Sequence, residues 1–235
     1  MTRRTLDYIF ASGGVALAVL FLVLGFVLAD QASFAKDYVK DQLSQQKITF
    51  ATVEELNADK TANPTNPVGE WKPGSVCLTA NAGELMTTGK QAECYANFYI
   101  GMHTGRLAKG AGFEGATYAT LGPIRTGLTA DIAAAKTAND TAKAADLQKR
   151  LDSATSLRST MQTGETLRGL LLTSYGFSIF GEKAGLAGTV CYIVGALLLV
   201  LGAAGFIHAF MTPKEKTVLV PAPTGTVPGG LPRGS

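Results

Sequence analysis

Two stretches without a formal charge limit what this chain can fold into: IFASGGVALAVLFLVLGFVLA at residues 9–29 and AGLAGTVCYIVGALLLVLGAAGFIHAFM at 184–211. At about 1.5 Å of rise per residue, some 20 helical residues cross the roughly 30 Å hydrocarbon core of a bilayer. The first stretch has 21 residues and the second 28, so each is long enough to span, the second with tilt or overhang. A cleavable signal peptide is the rival reading of the first, because Arg3 and Arg4 precede it. Its apolar run is longer than a signal peptide needs, and LADQASF is a poor cleavage site, so an uncleaved anchor is expected.

Arg3, Arg4, Lys214 and Lys216 flank the outer ends of the two spans. By the positive-inside rule, both termini of a double-pass plasma-membrane protein are then expected in the cytoplasm. The expected division is a cytoplasmic N-terminus (1–8), a first transmembrane helix (9–29), an extracytoplasmic helical domain (30–183), a second transmembrane helix (184–211) and a disordered cytoplasmic tail (212–235). That tail is rich in Pro and Gly, has no core-forming period, and ends in LPRGS, which resembles the scar of a cleavable tag.

Charge is partitioned with the spans. Residues 30–183 hold 16 Lys or Arg and 16 Asp or Glu, so the +3 net charge of the chain lies entirely outside them. A neutral domain speaks against nucleic acid or anionic lipid as its ligand, while the two spans make membrane lipid an expected partner of the chain. Cys77 and Cys94 fall in this domain, where an oxidising compartment lets a disulfide persist, while Cys191 lies alone in the second span. A Cys77–Cys94 bridge is expected, worth about 3 kcal/mol for so short a loop.

Helical signals recur along the domain. Phe34, Val39 and Leu43 follow the first span at helical intervals. Thr52 with Glu55 forms a capping-box pattern for a very short helix, and 57–76 reads as loop, with Trp71 plugging the core. Thr88 with Gln91 opens a longer helix over 87–110, where Ala92, Tyr95, Ala96, Tyr99 and His103 share a face and Gly110 and Gly112 mark the stop. A turn and a helix broken at Pro123 follow, then an amphipathic helix over 128–162 with room for a hairpin near Asn139 and Asp140. Residues 169–181 are too few to cross a bilayer. They read as a stalk that packs on the domain or lies at the headgroups, with Thr173, Ser174 and Ser178 opposite Leu171, Leu172, Tyr175 and Ile179. Glu165 and Arg168 are placed to pair at i and i+3.

Chemistry-bearing patterns are scarce. His103 and His208, the two histidines, are assigned to different sides of the membrane, so they cannot join a two-His-one-carboxylate iron site. The chain has no G-x-S-x-G elbow, no C-x-x-C-H haem attachment and no phosphate loop. No catalytic residue, cofactor or metal is expected. The spans carry a different signal: Ala11, Ala18 and Gly25 in the first, and Gly188, Gly195 and Gly202 in the second, recur every seven residues. Such spacing keeps small residues on one face of a left-handed pair and lets backbones approach closely. A tight seam is expected, either within one chain or between chains.

The stretches VKDQLSQQKITF (39–50), TTGKQAECYANFYIGMH (87–103), GATYATL (115–121) and above all GETLRGLLLTSYGF (164–177), bracketed by two spans, resemble an actinobacterial family of two-span membrane proteins. Its members often carry the label aromatic ring-opening dioxygenase, a chemistry for which this sequence lacks the metal ligands. Within GETLRGLLL, the motif Gly164, Glu165, Thr166, Leu167, Arg168 and Gly169 is the most specific piece; its simplest role is to fix the domain to the second span. Residues 128–160 depart from the family in being longer and richer in alanine. The resulting expectation is an all-α protein, two transmembrane helices bracketing an extracytoplasmic helical domain with one disulfide. It is expected to be non-enzymatic and to act as a homo-oligomer or as a subunit, assembly factor or scaffold of a cell-envelope or respiratory complex. The alternative is a membrane-anchored binder of a small molecule or lipid against Trp71, Tyr95, Tyr99 and Phe113.

Overall fold

The computed structural model describes residues 2–63 and 76–213. They form α1 (Arg3–Gln45), α2 (Val53–Ala62), α3 (Val76–Ala80), α4 (Gly89–Cys94), a π-helical segment (Tyr95–Ile100), α5 (Gly101–Gly110), α6 (Tyr118–Thr137) and α7 (Thr141–Met211). The architecture is all-α; the extended chain among the described residues contributes an isolated antiparallel bridge, Thr49–Leu85. Two compact units arise, one from Met1–Asp30 with Ala184–Ser235, the other from Gln31–Lys183.

In the first unit the apolar parts of α1 and α7 pair. Both helices are long and apolar enough to cross a membrane, yet only 17% of the most apolar 18-residue window of each is buried. Phe10, Phe26, Val200 and Leu201 are each at least 66% exposed. That much contiguous apolar surface is unfavourable in water and suits lipid or other apolar helices.

The second unit contains two cores. One gathers Val39 and Leu43 of α1, Phe50, Leu56, Leu78, Met86, the small face of α4 and the π segment, and Leu171 of α7. The other lies in the α6–α7 hairpin and includes Leu121, Leu128, Ile132, Leu147, Ala154, Leu157 and Met161. The hairpin turns where Asn139 takes φ +56° and the Asp140 carboxylate accepts the Lys143 N–H at 3.0 Å, an N-cap for α7.

Local chemistry moves several boundaries from the sequence-based reading. Residues 57–62 are helical, not loop: the Thr52–Glu55 capping box, Glu54 and Glu55 in the first turn and Lys60 in the last all favour α2 without an apolar stripe. Trp71 lies outside the described residues. Pro123 does not break α6. It sits inside a helix whose start is fixed by a Thr117–Thr120 capping box, so the helix continues despite losing one N–H donor. The expected single helix over 87–110 is interrupted by the π-helical turn Tyr95–Ile100, and the chain leaves α5 through Gly112 at φ +77°.

Candidate binding cleft

The π segment organises the chemistry of the second unit. A helix with i→i+5 bonds carries more residues per turn than an α-helix, so four-residue steps undershoot a full turn where α-helical ones overshoot it. Tyr95, Tyr99 and His103 straddle the change from π to α, and the opposing drifts keep their rings in line. The Tyr95 and Tyr99 centroids are 4.5 Å apart and those of Tyr99 and His103 are 4.4 Å apart. Phe50 meets Tyr95 edge-on at 5.4 Å. Burial is the largest cause pushing the Tyr95 phenol up to about 12, with Tyr99 adding to it, so Tyr95 is a neutral donor throughout the physiological range.

Beside this stack opens a cleft of about 630 Å³. Tyr99 and His103 line one side, the first turns of α2 supply Thr52, Glu55 and Asp59, and Phe50 and Leu56 add apolar surface. The His103 Nδ1 lies 2.9 Å from the Tyr99 carbonyl oxygen. A carbonyl can only accept, so Nδ1 carries a hydrogen and donates it there. Asp59 receives both guanidinium nitrogens of Arg106, at 2.6 and 2.8 Å, and this bond raises the already high Arg106 pKa further. Glu55 accepts the Thr52 N–H at 2.8 Å through Oε2.

Sequence reasoning placed a cleft against Trp71, Tyr95, Tyr99 and Phe113. Tyr99 does line it and Tyr95 stacks against Tyr99, but Phe113 packs in the separate α6–α7 core. Phe50, Glu55 and Asp59 are not anticipated as partners of Tyr99 and His103, because they come from a segment at least forty residues earlier whose one motif, the Thr52–Glu55 capping box, signals a helix start and not a binding site. Among the described residues no three of His, Cys, Asp and Glu converge as metal ligands would.

The motif residues are scattered into structural contacts within the second unit. Glu165 and Arg168 do not pair with each other. Instead, Glu165 Oε1 accepts the Tyr118 N–H at 3.0 Å, the first amide of α6, where a carboxylate complements the helix dipole. Arg168 donates to Asn97 Oδ1 at 3.2 Å, on the π segment. Gly164 admits Thr104: a Cβ there would lie 2.7 Å from its methyl group. Leu167 packs on the first core, whereas Thr166 and Gly169 are exposed. Arg158, three turns earlier, lies over the Tyr118 ring at 3.9 Å from its centroid. Further along, Leu171 is fully buried as expected of a packed stalk, but Ser178 is on the packed side, against Gly89, and its hydroxyl donates to the Tyr175 carbonyl.

Cys77 and Cys94 form a disulfide with Cα atoms 6.1 Å apart, and Cys191 is a buried free thiol. In the first unit the six small residues face each other within one chain. A Cβ on Gly25 would lie 3.1 Å from the Gly188 carbonyl, one on Gly195 3.2 Å from the Ala18 carbonyl, and one on Gly202 3.4 Å from the Ala11 carbonyl. Ala11 and Ala18 are buried. Gly205 extends the same contact towards Ala11, outside the seven-residue register. At the end of this pair, His208 Nε2 is 3.9 Å from Asp7 Oδ2. Comparison of the chain with protein-family models, with curated proteins and with solved structures gives no match.

Proposed function

We propose that this chain is a non-enzymatic, double-pass integral protein of the plasma membrane, with both termini cytoplasmic and residues 30–183 extracytoplasmic. Its role is that of a subunit, assembly factor or scaffold in a cell-envelope or respiratory membrane complex. The observation that carries the reading is the contrast between the two sides of the apolar helix pair. Glycine and alanine close its inner seam, while Phe10, Phe26, Val200 and Leu201 remain exposed. A pair this thin covers little of its own surface, so further apolar helices, from other subunits or from copies of the chain, would bury what is left. The contacts of Glu165 and Arg168 support a structural role for their motif, since both side chains are engaged in tying helices together.

Extraction at native abundance in a mild detergent, followed by particle mass and mass spectrometry of the companions, tests it. Stoichiometric foreign subunits, or a defined homo-oligomer, are the expected outcome. A monodisperse monomer without companions overturns it. A second reading, a membrane-anchored small-molecule binder, is favoured by one observation: the cleft beside Tyr99 and His103 has the several hundred Å³ that such a site needs.

A further inference from the structure

We infer that the cleft between α2 and the Tyr99–His103 stack takes a small organic ammonium compound carrying an aromatic ring. The inference rests on the second reading above and gives it a ligand class. The argument is a match of donors, acceptors and faces. The cleft is lined by the aromatic rings of Phe50, Tyr99 and His103, which attract both a ligand ring and a cation held near it. Its ionic groups are the carboxylates of Glu55 and Asp59, which only accept; the hydroxyls of Thr49, Thr52 and Tyr99 can donate or accept, and His103 has Nδ1 committed to the Tyr99 carbonyl.

Charge points the same way. Among the described residues that line the cleft there is no lysine or arginine. Arg106 is engaged with Asp59 at 2.6 Å. Glu55 holds its N-cap hydrogen bond through one oxygen and has no ion pair among the described residues, so one negative charge is left to meet a ligand cation. An ammonium group with its N–H donors complements that set, whereas an anion would face Glu55 with only neutral hydroxyl donors, and no lysine or arginine of the lining, to compensate. The π-helical turn that aligns the rings is a type of local irregularity found frequently at functional sites.

The test uses the full chain in a maltoside detergent, which brings no ammonium of its own, and ligand-observed NMR titration with phenethylamine, 2-phenylethanol, 3-phenylpropanoate and choline. Phenethylamine should bind saturably with a Kd of about 1 mM or tighter, a range its size allows. The isosteric alcohol should bind about tenfold more weakly and the carboxylate not measurably. Glu55→Gln keeps the capping box, since glutamine also accepts the N-cap amide, and should remove most of the preference for amine over alcohol. Tyr99→Leu should weaken both ligands, with a melting curve confirming that it folds. If the alcohol binds as well as the amine, the ligand class is overturned and the cleft survives as a site. If choline binds as tightly as phenethylamine, the aromatic ring is overturned in favour of a headgroup-like ammonium. If none of the four saturates, the inference and the second reading fall together.

Discussion

Replacing Gly195 by leucine should loosen the apolar helix pair, and the cost can be worked from the contacts. A Cβ at this position would lie 2.9 Å from Leu22 Cγ, 3.0 Å from Leu22 Cδ2 and 3.2 Å from the Ala18 carbonyl oxygen. The Leu22 side chain can rotate, but the Ala18 oxygen belongs to the facing backbone and moves only if the helices separate. Overpacking of this kind costs about 1–3 kcal/mol. Removing a helical glycine returns about 1 kcal/mol of backbone entropy. Gly195→Ala should therefore be close to neutral, while Gly195→Leu, which must also place an isobutyl group in the seam, should lose about 2 kcal/mol. Gly13→Leu is the control, because nothing lies within 4 Å of its Cβ position. Thermal melting by circular dichroism in mild detergent, with SDS titration as a second probe, reads the difference. Equal stability of Gly195→Leu and the unsubstituted chain, or equal losses from Gly195→Leu and Gly13→Leu, would refute close backbone approach as the basis of the pairing.

Three further outcomes are expected. Glu165→Ala should destabilise the second unit by about 1 kcal/mol and speed hydrogen exchange at the Tyr118 amide, as loss of a helix N-terminal acceptor does; Glu165→Gln, which can still accept, should lose less. Reduction of the Cys77–Cys94 disulfide, whose cysteines are 17 residues apart, should cost about 3 kcal/mol, seen as a drop in melting temperature with dithiothreitol that a Cys77→Ser, Cys94→Ser double variant no longer shows. Tyr95 binds its proton more tightly folded than unfolded, with a pKa of about 12 against 10.0, so its contribution to stability is complete below pH 10 and is lost as pH rises towards 12. Ultraviolet titration should show a late tyrosinate step near pH 12 that Tyr95→Phe removes.

Much of the fold was legible because its signals are local or periodic. The Thr52–Glu55 and Thr88–Gln91 capping boxes are four-residue patterns, and both occur with reciprocal hydrogen bonds. Leu147, Ala154, Leu157 and Met161 follow helical spacing and are buried in the hairpin. The misreadings arose where distant partners overrode local preference. Glu165 and Arg168 look like a pair along one helix, but an exposed i,i+3 pair gains only a few tenths of a kcal/mol. An amide at the start of α6 and the Asn97 side chain at the π segment claim them instead. Ser178 groups by sequence with Thr173 and Ser174, opposite the apolar side of the helix, yet Gly89 leaves a gap that its small hydroxyl side chain fills.

What the sequence alone determined is the set of quantities that depend on composition and spacing: two apolar stretches long enough to cross a bilayer, a neutral segment between them, two cysteines close enough to join, and the register of small residues every seven positions. Tertiary structure decided the rest. It chose the partners of those small residues within one chain, extended the contact to Gly205, inserted a π-helical turn in a helix whose sequence carried no mark of it, and brought Phe50, Glu55 and Asp59 to the side of Tyr99 and His103. The physical reason is range. Helix periodicity, capping and hydropathy act over a few residues and leave a readable pattern, whereas a cleft is made by groups some forty residues apart whose meeting depends on how the intervening segments pack.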